Sequence, residues 1–567
     1  MRRILLPVCL LWSALVFGQA AKTDHEFDKG SGISGLHINL KQSEDLRVLA
    51  LVWGFVKYYH PAVAAGNYNW DYELFRILPR VLNAADKKER DDILVKWIDG
   101  LGTFREGKTL KIDPKEIKIL PDLDWITASD FTGELQTLLT KIRNADRKSE
   151  HYYIGLVPNV ANPEFKNEEA YASVKYPDDG YRLLALYRYW NMIQYYFPYK
   201  NLIEEDWKKV LEVFIPKVLE AKDEVAYTVT MLELIARVHD THANIWGDNQ
   251  SLKKYYGANY ASAGVHFIEN KAVVTEYYND RGKEDGLQIG DIITSINDRP
   301  VEEIVKERLK YTPASNYPTQ LRDIGPRLLR TNDTLIRIGY SRGNKKDNIV
   351  VKAYSAKEVD LYKKYRNPDT CFRLINNNIA YINNGSVKKA YLPGIWDVAK
   401  NTKGLIIDAR NYPSDFVIYN LSGYLMPESK PFVKFTNGDI ETPGLFTYGA
   451  QLEAGKRNKD GYKGKVVIIV NEITQSSAEF HSMAYRVHPN AVVIGSTTAG
   501  ADGNVSRIAL PGGISTMISG IGVYYPDGRE TQRVGIVPDI EMKPTIEGIK
   551  RGTDEVLEKA VAIINGQ

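Results

Sequence analysis

Hydrophobic and polar positions change their period several times along this chain. Leu46, Leu49, Trp53 and Val56 fall on one helical stripe, and Trp70, Leu74, Ile77 and Val81 fall on another. The pattern returns 137 positions later: "LRVLALVWGFVKYYHP" at 46–61 matches "LLALYRYWNMIQYYFP" at 183–198. Trp70 with Trp207, Leu74 with Leu211, Pro79 with Pro216 and Ala84 with Ala221 keep the same step. An ungapped match of this length predicts a duplicated helical unit. Its aromatic stripes read as core, because aromatic rings bury more area than other side chains. The copies part at their ends. The second runs into "ELIARVHDTHANIW" and the first closes with "KWIDGLGTFREG". Asp240-Thr241-His242 therefore has no counterpart in the first copy, which marks His242 for a specific role.

After residue 260 the period shortens. "SAGVHFIENKAVVTEYY" predicts two strands around a turn, and "EDGLQIGDIITSINDRPVEEIV" follows with Gly286, Gly290 and Asp291 breaking short apolar runs. The "GLxxGDxIxxIN" pattern at Gly286 to Asn297 resembles a PDZ domain of the bacterial protease type. That resemblance implies recognition of an extended peptide by strand addition, with its carboxylate loop at Gly264, Val265 and His266. From about 366, "NNIAYINNGSV", "KGLIIDARNYP", "KVVIIVNEI" and "NAVVIGSTTAG" alternate with helical stretches and predict a layered α/β domain. "TDEVLEKAVAII" predicts a closing helix. The expected division is a leader at 1–20, helical units at 21–150 and 151–260, a PDZ-like unit at 261–355 and a core at 366–567.

Composition narrows the function. A chain of 567 residues needs several cores. With 44% hydrophobic and 26% charged residues it is ordinary for a globular protein, and a formal charge of +3 gives no basic excess for nucleic acid. "MRRILLPVCLLWSALVFGQA" has two arginines, a short apolar run and a small-residue end, the pattern of a secretory leader cut near Ala20 or Ala21. Export to the periplasm, the cell surface or the medium is expected, with no integral membrane span. Cys371 would be the only cysteine of the mature chain, so no internal disulfide is expected. The histidines lack metal-ligand spacing and no phosphate-binding glycine fingerprint occurs, so neither metal nor cofactor is expected.

"VVIIVNEITQSSAEFHSMAYRV" at 466–487 carries the chemistry. The apolar run reads as a buried strand and "SSAEFHSMAYRV" as a helix. Ser476 and Glu479 fit the Ser-x-x-Glu capping box. The same serine, at the end of a buried strand, could be a nucleophile with helix N–H groups at hand for an oxyanion.

"LIIDARNYP", "NEITQSSAEFHSMA", "VVIGSTTAGADGNV" and "GIVPDI" resemble, in order and spacing, the core of the tail-specific (C-terminal-processing) and tricorn-core serine peptidases. The resemblance covers about 230–545 and implies an α/β fold with a ClpP/crotonase-like core and a polypeptide substrate. It places the nucleophile on Ser476 and an oxyanion donor on Ser477. One branch of the family uses a lysine 25 positions after the serine. That position is Ala501 here, and no lysine lies between Lys465 and Lys543. The tricorn-like branch uses a histidine in a short polar motif, which "HDTH" matches at His242; imidazole suits a general base near neutral pH. The family's base-orienting glutamate falls on Gln532, with Glu530 two residues earlier and expected on the same strand face. The family's glycine-rich oxyanion loop is Tyr412 to Asp415 here, making Ser414 the expected second donor. The expectation is an exported serine endopeptidase with PDZ-assisted recruitment. The rival is a non-catalytic, peptide-binding relative of such an enzyme. Oligomeric state is left open.

Overall fold

The computed structural model describes residues 20–107, 112–147, 151–361 and 371–567 of a mixed α/β protein. Most of the leader pattern lies outside the described residues. Among them, no helix is long and apolar enough to cross a membrane.

The helices of the N-terminal region include α1 (Leu40–Tyr59), α2 (Trp70–Leu82), α3 (Asp179–Tyr196) and α4 (Trp207–Glu220). The two halves share one device. Trp53 Nε1 donates to the Trp70 carbonyl and Trp70 Nε1 donates to the Trp53 carbonyl, each at 2.9 Å. Trp190 and Trp207 repeat the exchange at 2.7 and 3.0 Å. Buried indole N–H groups need partners, and each pair satisfies itself. The apolar surface of α1 is wider than the stripe read from the sequence. Nearly every residue from Asp45 to Tyr59 is buried, because α1 lies against α2, α3 and α4 at once. Asn191 Nδ2 reaches the Ala50 carbonyl at 3.1 Å, and a Cβ on Gly54 would stand 1.8 Å from the Asn191 side chain.

The middle unit is a sheet with spatial order β1 (Ala263–Ile268), β2 (Lys271–Tyr277), β3 (Ile292–Ile296), β4 (Leu335–Arg342), β5 (Lys345–Ser355), continued by two short strands. Its helix α5 (Tyr317–Ile324) precedes Gly325, where an added Cβ would stand 2.7 Å from the Val265 carbonyl oxygen. The chain therefore packs directly on edge strand β1.

The C-terminal region is built on a sheet of order β6 (Phe372–Ile375), β7 (Ile379–Asn383), β8 (Gly404–Asp408), β9 (Lys465–Val470), β10 (Ala491–Gly495), β13 (Ile540–Glu541). Only the β6–β7 pair is antiparallel. A strand covered on both faces is apolar throughout, as "VVIIV" is. Val466, Ile468 and Val470 face the cluster that holds Met483 and Ala484 of α6 (Ser477–Arg486). Val467 and Ile469 face Val556, Ala560 and Ile563 of α7 (Glu555–Asn565). Between β10 and β13, strands β11 (Val505–Leu510) and β12 (Ile514–Ser519) form a hairpin that leaves this sheet. Its Ile508, Leu510, Ile514 and Ile518 join the core of the helical region. Arg188 donates to the Ala509 carbonyl and Tyr227 to the Pro511 carbonyl, each at 2.8 Å.

Candidate active site

The turn between β9 and α6 is tied down before it reaches Ser476. Asn471 N–H donates to Thr474 Oγ1 at 3.1 Å, and that hydroxyl donates to the Ala409 carbonyl at 2.8 Å. Ala499 N–H bonds the Thr474 carbonyl at 2.9 Å. Arg322 of α5 donates to the Glu472 carbonyl at 2.9 Å and to Gln475 Oε1 at 3.0 Å. Ser476 then takes φ 55° and ψ −122°. A helix cap normally has extended backbone with negative φ, and a non-glycine residue here is strained. Its N–H donates to Glu479 Oε2 and to the Ala501 carbonyl, both at 3.0 Å. The glutamate of the capping box is thus engaged while the serine stands in an unusual backbone conformation. Ser477 begins α6, where the helical ladder leaves N–H groups unpaired.

Glu479 is fully buried and also accepts from Thr498 Oγ1, Gly500 N–H and Ala501 N–H. Burial raises its pKa against the pull of those donors. Asp502, buried beside it, is raised well above the usual carboxylate range by burial and by the Glu479 charge.

His242 and Ser476 line one cleft of about 1170 Å³, together with Trp246, Arg322, Arg410 and Tyr412. The hairpin and the middle unit hold the histidine loop there. Trp246 N–H donates to the Ser515 carbonyl at 2.8 Å, Thr241 N–H to Ser315 Oγ at 3.0 Å, and Thr241 Oγ1 to the Ala499 carbonyl at 2.9 Å. Nδ1 of His242 meets Ser519 Oγ at 2.9 Å. Burial lowers its pKa, Asp240 opposes that, and Arg322 adds to it. A buried imidazole kept neutral can accept a proton.

The base-orienting expectation needs correction. Gln532 Nε2 reaches Asp240 Oδ1 at 3.2 Å, while Ser519 Oγ occupies the imidazole edge. Glu530 pairs with Lys118 at 2.7 Å instead of standing behind Gln532. Period-two alternation fails because the chain leaves its bridge to Tyr524 at Glu530 and turns over 532–534. Ser519 escaped sequence reasoning, since a hydroxyl 277 positions from the histidine leaves no local pattern. Asp240 had a visible signal, a carboxylate two residues before His242.

The second oxyanion expectation also changes. Ser414 N–H donates to the Asn384 carbonyl at 3.2 Å and its hydroxyl to the Val387 carbonyl at 2.7 Å. The Asp415 carboxylate accepts from Lys389 and Phe416 N–H groups, which hold its pKa low. His481 Nδ1 meets its own helix at the Ser477 carbonyl, 2.6 Å away, and burial lowers its pKa to about 4. In the middle unit Gly264, Val265 and His266 lie on β1, with His266 Nδ1 2.6 Å from Thr275 Oγ1.

Residues 378–542 match the model of peptidase family S41. The matched segment contains Ser476 and supports a serine peptidase. Among solved structures, mature CPAF is similar over 69% of this chain and 98% of its own, at 13% identity and a TM-score of 0.53. Mature CPAF complexed with lactacystin is similar over 69% and 99%, at 12% identity and a TM-score of 0.52. At such identities the likeness is one of fold. The comparison with curated proteins returns no match. The family match supports a peptidase, an activity that implies polypeptide as the class of substrate.

Proposed function

We propose that this chain is an S41 peptidase, an exported serine endopeptidase that works by a Ser476–His242 mechanism. The observation that carries the reading is the strained Ser476, at a strand-to-helix junction, sharing a cleft with His242. Ser476 Oγ attacks the scissile carbonyl carbon and its proton passes to His242 Nε2. Ser477 N–H donates to the oxyanion. His242 gives the proton to the leaving amine, and water, deprotonated by His242, then hydrolyses the acyl-enzyme. The leader pattern at 1–20 supports export. The middle unit is read as PDZ-like, with Gly264, Val265 and His266 as its recognition segment for a polypeptide.

A second reading, a peptide-binding protein without turnover, draws on one observation. The Ser414 N–H is already bonded, so the expected second oxyanion donor is missing. Turnover of an unstructured polypeptide such as denatured casein separates the two. Ser476→Ala should abolish it while the fold survives, since losing a cap costs only about 0.5–2 kcal/mol. Wild-type turnover by Ser476→Ala rules out the nucleophile, and a wild-type protein without turnover supports the binding reading.

A further inference from the structure

We propose that Asp240, acting through Ser519, is the residue that positions His242, and that Gln532 is the amide matched to Asp240. This rests on His242 being the base. Asp240 is fully buried and accepts from four donors. Ser519 N–H reaches Oδ2 at 2.6 Å. Ser519 Oγ, His242 N–H and Gln532 Nε2 reach Oδ1 at 3.0, 3.1 and 3.2 Å.

The geometry fixes the histidine tautomer. A serine hydroxyl has one proton, and a carboxylate can only accept. Ser519 Oγ therefore donates to Asp240 and accepts from the Nδ1–H of His242. Nε2 is left with its lone pair, the form a general base needs. Asp240 Oδ1 stands 3.7 Å from Nδ1, close enough to stabilise the imidazolium formed when His242 takes its proton.

The residue at 532 follows from the same arrangement. A glutamate there would bring a second carboxylate against Asp240, and like charges in one buried site cannot both ionise. A glutamine of nearly the same shape supplies an N–H instead. The carboxylate of the site stands at position 240, and the amide at 532 completes it.

The test is turnover of denatured casein across pH by Asp240→Asn, Gln532→Glu and the double variant, with folding checked by thermal unfolding. Asp240→Asn should lower kcat by roughly 10²–10⁴-fold with KM little changed. Arg322 is the other charged group acting on His242, and it stays. Loss of the negative neighbour should therefore move the acid limb of kcat/KM to lower pH, a shift that a merely structural role would not produce. Gln532→Glu should lower kcat. The double variant restores one carboxylate and one amide, and should exceed Asp240→Asn by about tenfold or more, since neighbouring groups couple. If Asp240→Asn does not fold, Ser519→Ala cuts the bridge and should lower kcat in a folded protein. Wild-type kcat and acid limb in Asp240→Asn, or in folded Ser519→Ala, would overturn the proposal, as would a double variant no better than Asp240→Asn. If His242→Ala keeps wild-type turnover, the base assignment falls and this proposal falls with it. If His242→Ala is inactive while Asp240→Asn is wild-type, only this proposal falls.

Discussion

Ser476 holds a backbone conformation that costs on the order of 1–3 kcal/mol for a residue with a side chain. It persists because Thr474, Glu479, Ala501 and Arg322 fix the chain on both sides. That anchoring has its own electrostatic cost, in the buried pair Glu479 and Asp502. The folded chain holds a proton on Asp502 that the unfolded chain releases above about pH 4. A carboxylate with its pKa raised in the fold loses stability as pH rises from the unfolded value through the folded one. Asp502→Asn removes the ionisation. Its melting temperature should exceed that of wild type near pH 8, and the gain should vanish near pH 3, where both forms are neutral. Thermal unfolding across that range measures it. A variant less stable than wild type at pH 8 would refute the assignment.

At the scale of elements, Gly54 decides how the two helical units meet. No Cβ fits there against Asn191, so Gly54→Ala must push α1 and α3 apart or expel Asn191 from its bond to Ala50. The expected loss is about 1–3 kcal/mol or more, read by denaturant unfolding. Adding Asn191→Ala should recover part of it. A fully stable Gly54→Ala would show that the helices do not meet this way. The duplication was legible because its tryptophans, prolines and leucines keep one step, and the paired indole bonds are its structural content. The β9–α6 junction was legible too, since an apolar run followed by Ser-x-x-Glu specifies both local structures. The breadth of the buried surface on α1 was not, because a helix surrounded by others has no polar face to reveal a period. Glu530 and Gln532 part for a local reason, the turn over 532–534 that begins where the strand was expected to continue. The expected second oxyanion donor, Ser414, has its N–H bonded to the Asn384 carbonyl, which a motif position does not reveal.

In the whole molecule the candidate site belongs to three regions. The core supplies Ser476, the second helical unit supplies His242, and α5 of the middle unit supplies Arg322 to the same cleft. The β11–β12 hairpin joins the first two by burying its apolar face in the helical region. A core cut away from the helical units would lose the proposed base and expose that face, so all three regions are needed for the chemistry proposed here. Labelling of the intact protein with a fluorophosphonate, followed by mass mapping, tests that claim most directly, because such probes react with activated serines. The account predicts one adduct, on Ser476, that disappears in His242→Ala while the protein stays folded. An adduct on another serine, or equal labelling of Ser476 in His242→Ala, would contradict it.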